Sequence, residues 1–281
     1  MVTSNENLVL ILLYSDVMSF ALALKTLELK VADYMSPKPF VVKDVLNFAD
    51  AVQSMADKGI GNLVVEKRHK PIGILTERQI LEHLSVHKKI MDIKLSDIHL
   101  SPFDVVSLDT RVIDAAQLMI KKKTRLLVFD AKHLVGIITA TDMVRAFRRT
   151  AANPDLTQVL STSLYTVNYD DTILAASKLM HKKRIGSVIV LKNGKPYGIF
   201  TERDLLVNVL SNDVETHNSV GGYCTTPLVT SSVGIKGGDV SKIMSKNKIK
   251  RLVLTKAKKM HAVVTARDIV EAFTMSFSSE D

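Results

Sequence analysis

The sequence predicts an α/β (α+β) protein built from four β-α-β-β-α units that pair into two modules. Three observations carry this. A phrase recurs along the chain: GILTERQIL from Gly73, GIITATDMV from Gly136, GIFTERDLL from Gly198 and AVVTARDIV from Ala262. Its threonines, Thr76, Thr139, Thr201 and Thr265, are 63, 62 and 64 residues apart, and a fixed period of that size marks one supersecondary unit per repeat. Inside each period, short β-branched runs alternate with segments of helical periodicity. Finally, a three-stranded sheet with two helices covers only one of its faces, so units of about 60 residues have to pair. The 281 residues, 46% of them apolar, supply the cores for this.

Unit 2 shows the element order most clearly. FDVVSL (103–108) reads as a strand. DTRVIDAAQLMIKKK (109–123) puts Val112, Ala115, Ala116 and Met119 on one helical face. RLLVFD (125–130) and LVGIIT (134–139) are two strands across a tight turn, and ATDMVRAFRR (140–149) is a second helix. Unit 3 repeats this with YTVNY (165–169), the helix 170–183, strands 186–191 and 197–201 across KNGK, and the helix 202–210. Met55, Met119, Met180 and Met244 fall at the same place in each first helix and read as core. The predicted units are 30–90, 91–152, 153–215 and 216–281, with a linker between modules around RRTAANPD (148–155).

Residues 1–29 lie outside the repeats. Their apolar stretch 8–24 contains Asp16 and two serines, so it reads as an amphipathic or buried extension with no membrane span. Cys224 is the single cysteine, which excludes an intrachain disulfide and points to a reducing, cytoplasmic setting. A formal charge of +9 favours an anionic partner.

Each recurring threonine ends a strand and starts a helix. Gln79, Asp142, Asp204 or Asp268 follows three residues later, the pattern of a capping box. With this layout the chain resembles proteins of four CBS (cystathionine-β-synthase) domains, over residues 30–275. It is similar in arrangement to stand-alone archaeal proteins of that type and to the γ subunit of AMP-activated protein kinase. The resemblance implies pseudo-twofold modules whose clefts bind AMP, ADP, ATP or a related adenosyl ligand, with no catalytic cofactor.

On that footing Asp142, Asp204 and Asp268 are candidate acceptors for ribose hydroxyls, and Thr139, Thr201 and Thr265 contact ribose or phosphate. Gln79, a neutral amide, is a poorer acceptor. Arginine in a first helical turn opposes the positive helix pole. Arg203 and Arg267 therefore read as phosphate partners, while the Glu beside Arg78 and beside Arg203 supplies an alternative, local screening. Fourteen residues before the threonines stand Asn62, Arg125, Ser187 and Arg251, a position that contacts phosphate in the kinase γ subunit by resemblance. By the same analogy the purine lies against backbone at Phe40, Asp104, Tyr165 and Val229.

Other chemistry has thinner support. His83 and His87 lack a third ligand, Cys224 has no local base, and the glycine pairs at 221–222 and 237–238 have no Gly-Lys-Ser/Thr after them. The expected protein is a non-enzymatic nucleotide sensor that signals to another chain, as a face-to-face homodimer or through an effector protein. Two alternatives stand beside it: nucleic-acid binding on the basic surface, and a ligand-free scaffold.

Overall fold

The computed structural model describes residues 28–150 and 152–278. The extension read at residues 8–24 lies outside them.

Each unit holds a sheet in which a short first strand runs parallel to a middle strand that is antiparallel to a third. In unit 1 these are Val41–Lys43, Asn62–Lys67 and Lys70–Thr76; in unit 2, Phe103–Ser107, Arg125–Asp130 and His133–Ile138. Unit 3 uses Thr166–Asn168, Ser187–Lys192 and Lys195–Thr201, and unit 4 uses Thr230–Ser232, Arg251–Lys256 and Lys259–Thr265. Every middle strand carries three consecutive buried apolar residues, such as Leu126, Leu127 and Val128. Such a run means that both sheet faces are covered. Leu126 and Val128 pack with Val112 and Met119 of their own helix, whereas Leu127 meets Val64, Ile74 and Ile137 between the sheets of units 1 and 2.

The segments leading into the units are exchanged. Ser36–Pro37 joins the edge of the unit 2 sheet opposite Ile137 and Gly136, and Ser101 bridges to Ile74 of unit 1. Ser161 bridges to Val263 of unit 4, and Thr225 to Ile199 of unit 3. Units 1 and 2 thus form one module and units 3 and 4 the other. Close approach of the exchanged segments accounts for the glycine in units 2 and 3: a Cβ on Gly136 would stand 2.2 Å from Sδ of the Met35 side chain, and one on Gly198 2.6 Å from the Thr225 backbone carbonyl.

The modules meet through helices. Glu77–His87 of unit 1 packs on Ile173–Lys183 of unit 3, and Ala140–Phe147 of unit 2 on Ala266–Ser278 of unit 4. Phe147 and Phe273 stack across this second contact at 4.6 Å. The two modules are thus joined by helix-on-helix contacts inside one chain.

Two helices differ from the pattern. The first helices of units 2 and 3 start at Val112 and Ile173, not at 109 and 170, because tight turns intervene. Thr110 N–H donates to the Ser107 carbonyl at 3.2 Å, and Asn168 N–H to Asp171 Oδ2 at 2.7 Å. The helix expected over 202–210 is α-helical only for Glu202–Asp204 and widens to a π-turn over Leu205–Val209. That turn divides buried side chains between two cores: Leu205 and Val209 stay in unit 3, and Leu206 enters unit 1.

Candidate functional site

The capping reading of the helix starts is met in units 2, 3 and 4, whereas in unit 1, among the described residues, no side-chain cap bond forms at Thr76. Asp142 Oδ2 accepts from Thr139 N at 2.9 Å and Oγ1 at 2.7 Å; Asp204 Oδ2 from Thr201 N at 2.8 Å and Oγ1 at 2.6 Å; Asp268 Oδ2 from Thr265 N at 2.7 Å and Oγ1 at 2.9 Å. In unit 1 the Thr76 hydroxyl bonds the buried Gln79 side chain.

The second carboxylate oxygen separates the units. Asp204 Oδ1 accepts from Thr225 Oγ1 at 2.7 Å and Asn208 Nδ2 at 3.2 Å, so that carboxylate is saturated by protein donors. Asp142 Oδ1 lies 3.2 Å from Arg145. Among the described residues no hydrogen bond reaches Asp268 Oδ1. Burial pushes the Asp268 and Asp204 carboxyls above the usual range, against the pull of their capping bonds.

The first-turn arginines have a structural partner that the sequence did not reveal. Arg78 Nη2 donates to the Arg184 carbonyl at 3.1 Å, Arg203 Nη2 to the Gly59 carbonyl at 2.6 Å and Arg267 Nη2 to the Met119 carbonyl at 2.9 Å. Arg184 and Gly59 lie at or just past the C-terminal end of a first helix in the other module and Met119 in the last turn of one, where a cation is favourable. The expected local screening by the adjacent Glu is corrected at the same time. Arg78 pairs with Glu202 at 3.0 Å and Arg203 with Glu77 at 3.1 Å, crosswise between units 1 and 3. Neighbouring residues of a helix do not face one another, which is why each arginine finds the distant glutamate.

Where the units converge lies a cavity of about 470 Å³ lined by residues of all four. That is within the roughly 300–1,000 Å³ of small-ligand sites. Of the predicted residues it gathers Arg125, Thr139, Tyr165, Ser187, Arg251, Thr265, Arg267 and Asp268. Asp142, Thr201, Arg203, Asp204, Asp104 and Val229 are not in its wall. Asp104 lies in the first strand of unit 2, while Val229 packs on the apolar core shared by units 2 and 4.

The constant spacing of 14 has a simple origin in the hairpins: Asn62 stands opposite Thr76, Ser187 opposite Thr201 and Arg251 opposite Thr265. Glu77, Glu202, Ser161 and Ser163, not named as site residues from the sequence, also line the cavity, as do Arg184 and Lys250 from the basic runs HKKR (181–184) and KNKIKR (246–251). Six cationic side chains there face three carboxylates, so the space favours an anion. Burial lowers the pKa of Arg125 from its ordinary value, with Glu202 and Glu77 pulling it back, and its Nε donates to Asn62 Oδ1.

The remaining candidates for chemistry have structural roles. His83 Nε2 accepts from Met91 N–H at 3.3 Å beneath the Phe48 ring. Burial, with the nearby Asp204 charge, pushes the Cys224 thiol up to about 11, far from a reactive thiolate. Among the described residues, no helix is long and apolar enough to cross a membrane.

A family model for the CBS domain matches residues 31–86, 95–149, 156–211 and 220–274. An uncharacterized 33.4 kDa protein from a ribosomal RNA operon of Thermofilum pendens is 28% identical over 203 residues, 66% of this chain and 66% of that protein. Uncharacterized protein MJ1404 of Methanocaldococcus jannaschii is 27% identical over 181 residues, 58% of this chain and 43% of its own length. The match thus spans less than two thirds of either relative. The crystal structure of protein MJ1225 from M. jannaschii, proposed as an archaeal homologue of g-AMPK, shares the fold. Its TM-score is 0.73 at 15% identity, covering 87% of this chain and 100% of that one.

Proposed function

The chain belongs to the CBS-domain family, and on that premise we propose that it is a non-enzymatic regulatory protein that binds AMP, ADP or ATP in the cleft between units 3 and 4. One observation carries the reading: Asp268, with an uncommitted carboxylate oxygen among the described residues, shares a continuous cavity with Arg251 and Arg125. The ribose diol bonds Asp268 Oδ1. The purine lies against the wall at Ser161, Ser163 and Tyr165, and the phosphate runs past Thr265 to the guanidinium groups. Asp204 has no free acceptor, so the cleft at Thr201 is structural. The ligand takes effect by favouring one arrangement of the two modules, which requires unequal affinity for the two. The signal passes to a separate protein.

Calorimetric titration with AMP, ADP, ATP, GMP and single-stranded DNA tests this. Adenine nucleotides should bind, and Asp268→Asn should weaken them by about tenfold to a hundredfold through the lost charge-assisted bonds. Binding to DNA alone, with steep salt dependence, would favour a nucleic-acid role instead. Unchanged affinity in Asp268→Asn would remove unit 4 as the ribose site.

A further inference from the structure

Units 1 and 3 each bring a glutamate to the centre, whereas Ala140 and Ala266 hold that position in units 2 and 4. Glu202 is the more deeply held of the two, its side chain 11% exposed. Oε1 lies 3.0 Å from Arg78 Nε and Oε2 lies 3.4 Å from Arg251 Nη2, so one carboxylate spans cations of units 1 and 4. The backbone keeps room for it: a Cβ on Gly186 would stand 2.0 Å from Arg251 Nη2 and 2.9 Å from Glu202 Oε2. Yet the fit is imperfect. Oε1 is buried and, among the described residues, makes no hydrogen bond of good geometry. A carboxylate gripped by two guanidinium groups inside an anion cavity occupies the place of a phosphate oxyanion without the full set of bonds a phosphate would make.

We propose that Glu202 is the specificity residue of the cavity, an internal anion on Arg78 and Arg251 that incoming phosphates must displace and that disfavours ligands more strongly as their phosphate chain lengthens. The proposal deepens the reading of unit 4 as a nucleotide site and rests on it for the path of the phosphates. Every added phosphate brings negative charge toward Glu202, and like charges in a poorly solvated space repel strongly. Selectivity for a monophosphate then comes from this repulsion, not from a better contact to the favoured ligand.

The experiment titrates AMP, ATP, inorganic phosphate and inorganic tripolyphosphate into wild type, Glu202→Gln and Glu215→Gln. Glu215 is exposed and, among the described residues, its carboxylate pairs with His217 at 3.0 Å, so its replacement removes the same charge outside the cavity wall. Glu202→Gln should bind ATP and tripolyphosphate about tenfold more tightly or better, and AMP and phosphate by less than about threefold. Equal gains in the two variants, or a gain that ignores phosphate number, would overturn the proposal. Should wild type bind no adenine nucleotide while Glu202→Gln still gains tripolyphosphate, the nucleotide reading fails and the role of Glu202 stands. If Glu202→Gln folds poorly, tripolyphosphate should restore its melting transition to that of wild type; no restoration would likewise overturn the proposal.

Discussion

Asp204 and Asp268 occupy equivalent positions, cap equivalent helices and yet answer differently to the same substitution. In Asp204→Asn the new amide would face Asn208 Nδ2, donor against donor, and the Thr225 hydroxyl would lose its anionic acceptor. That should cost about 1–3 kcal/mol in urea unfolding. Asp268→Asn keeps a good cap and loses no such partner. Burial raises the Asp268 pKa above its unfolded value, so the folded state holds the proton more tightly. The stability this contributes is fully present below the unfolded pKa and is lost as pH rises through the folded one. An asparagine is neutral throughout and escapes that loss. The melting temperature of Asp268→Asn should therefore equal or exceed that of wild type at pH 7 without ligand, and the advantage should disappear as pH falls through the raised pKa. A loss at pH 7 as large as that of Asp204→Asn would show that Asp268 is structural too.

Between elements, the crossed pairs Arg78–Glu202 and Arg203–Glu77 join a helix start of one module to a helix start of the other, each arginine also capping a helix in the opposite module. A double-mutant cycle on Arg203 and Glu77, whose side chains are 36% and 15% exposed, should give a coupling of about 1 kcal/mol at low salt that shrinks as salt is added. A coupling near zero at every salt concentration would reduce the pair to a surface contact. The strand and helix order of each unit was legible in the sequence because hydrophobic periodicity is local. So were the capping boxes, whose members stand three residues apart, and the strand-start position of Arg125, Ser187 and Arg251, which hairpin register fixes. The crossed pairs were not legible, because their members come from different modules and nothing in GIFTERDLL names the helix end that Arg203 reaches. Saturation of Asp204 was hidden for a similar reason: Thr225 arrives on a segment exchanged from unit 4, and Asn208 arrives through a π-turn that has no strong sequence signature.

At the scale of the molecule, the cores ignore the boundary between modules. One cluster joins Met119, Leu126 and Phe147 of unit 2 to Met244, Leu252 and Phe273 of unit 4, and another sets Leu81 and Leu84 of unit 1 among Ile173, Met180 and Phe200 of unit 3. Neither module can unfold without exposing apolar surface of the other, so the described units should melt as one cooperative transition, with calorimetric and van't Hoff enthalpies in agreement. Phe147→Ala removes a fully buried ring stacked on Phe273. It should lower stability by about 3–5 kcal/mol while leaving the transition single, because the contact of units 1 and 3 persists. A nucleotide held in one cleft must then stabilise the entire chain: at 100 times its dissociation constant it should add about 2.7 kcal/mol to that one transition. Two transitions, only one of them moved by ligand, would mean that the modules are energetically independent, and a cleft in units 3 and 4 would then have no route through the shared cores to units 1 and 2.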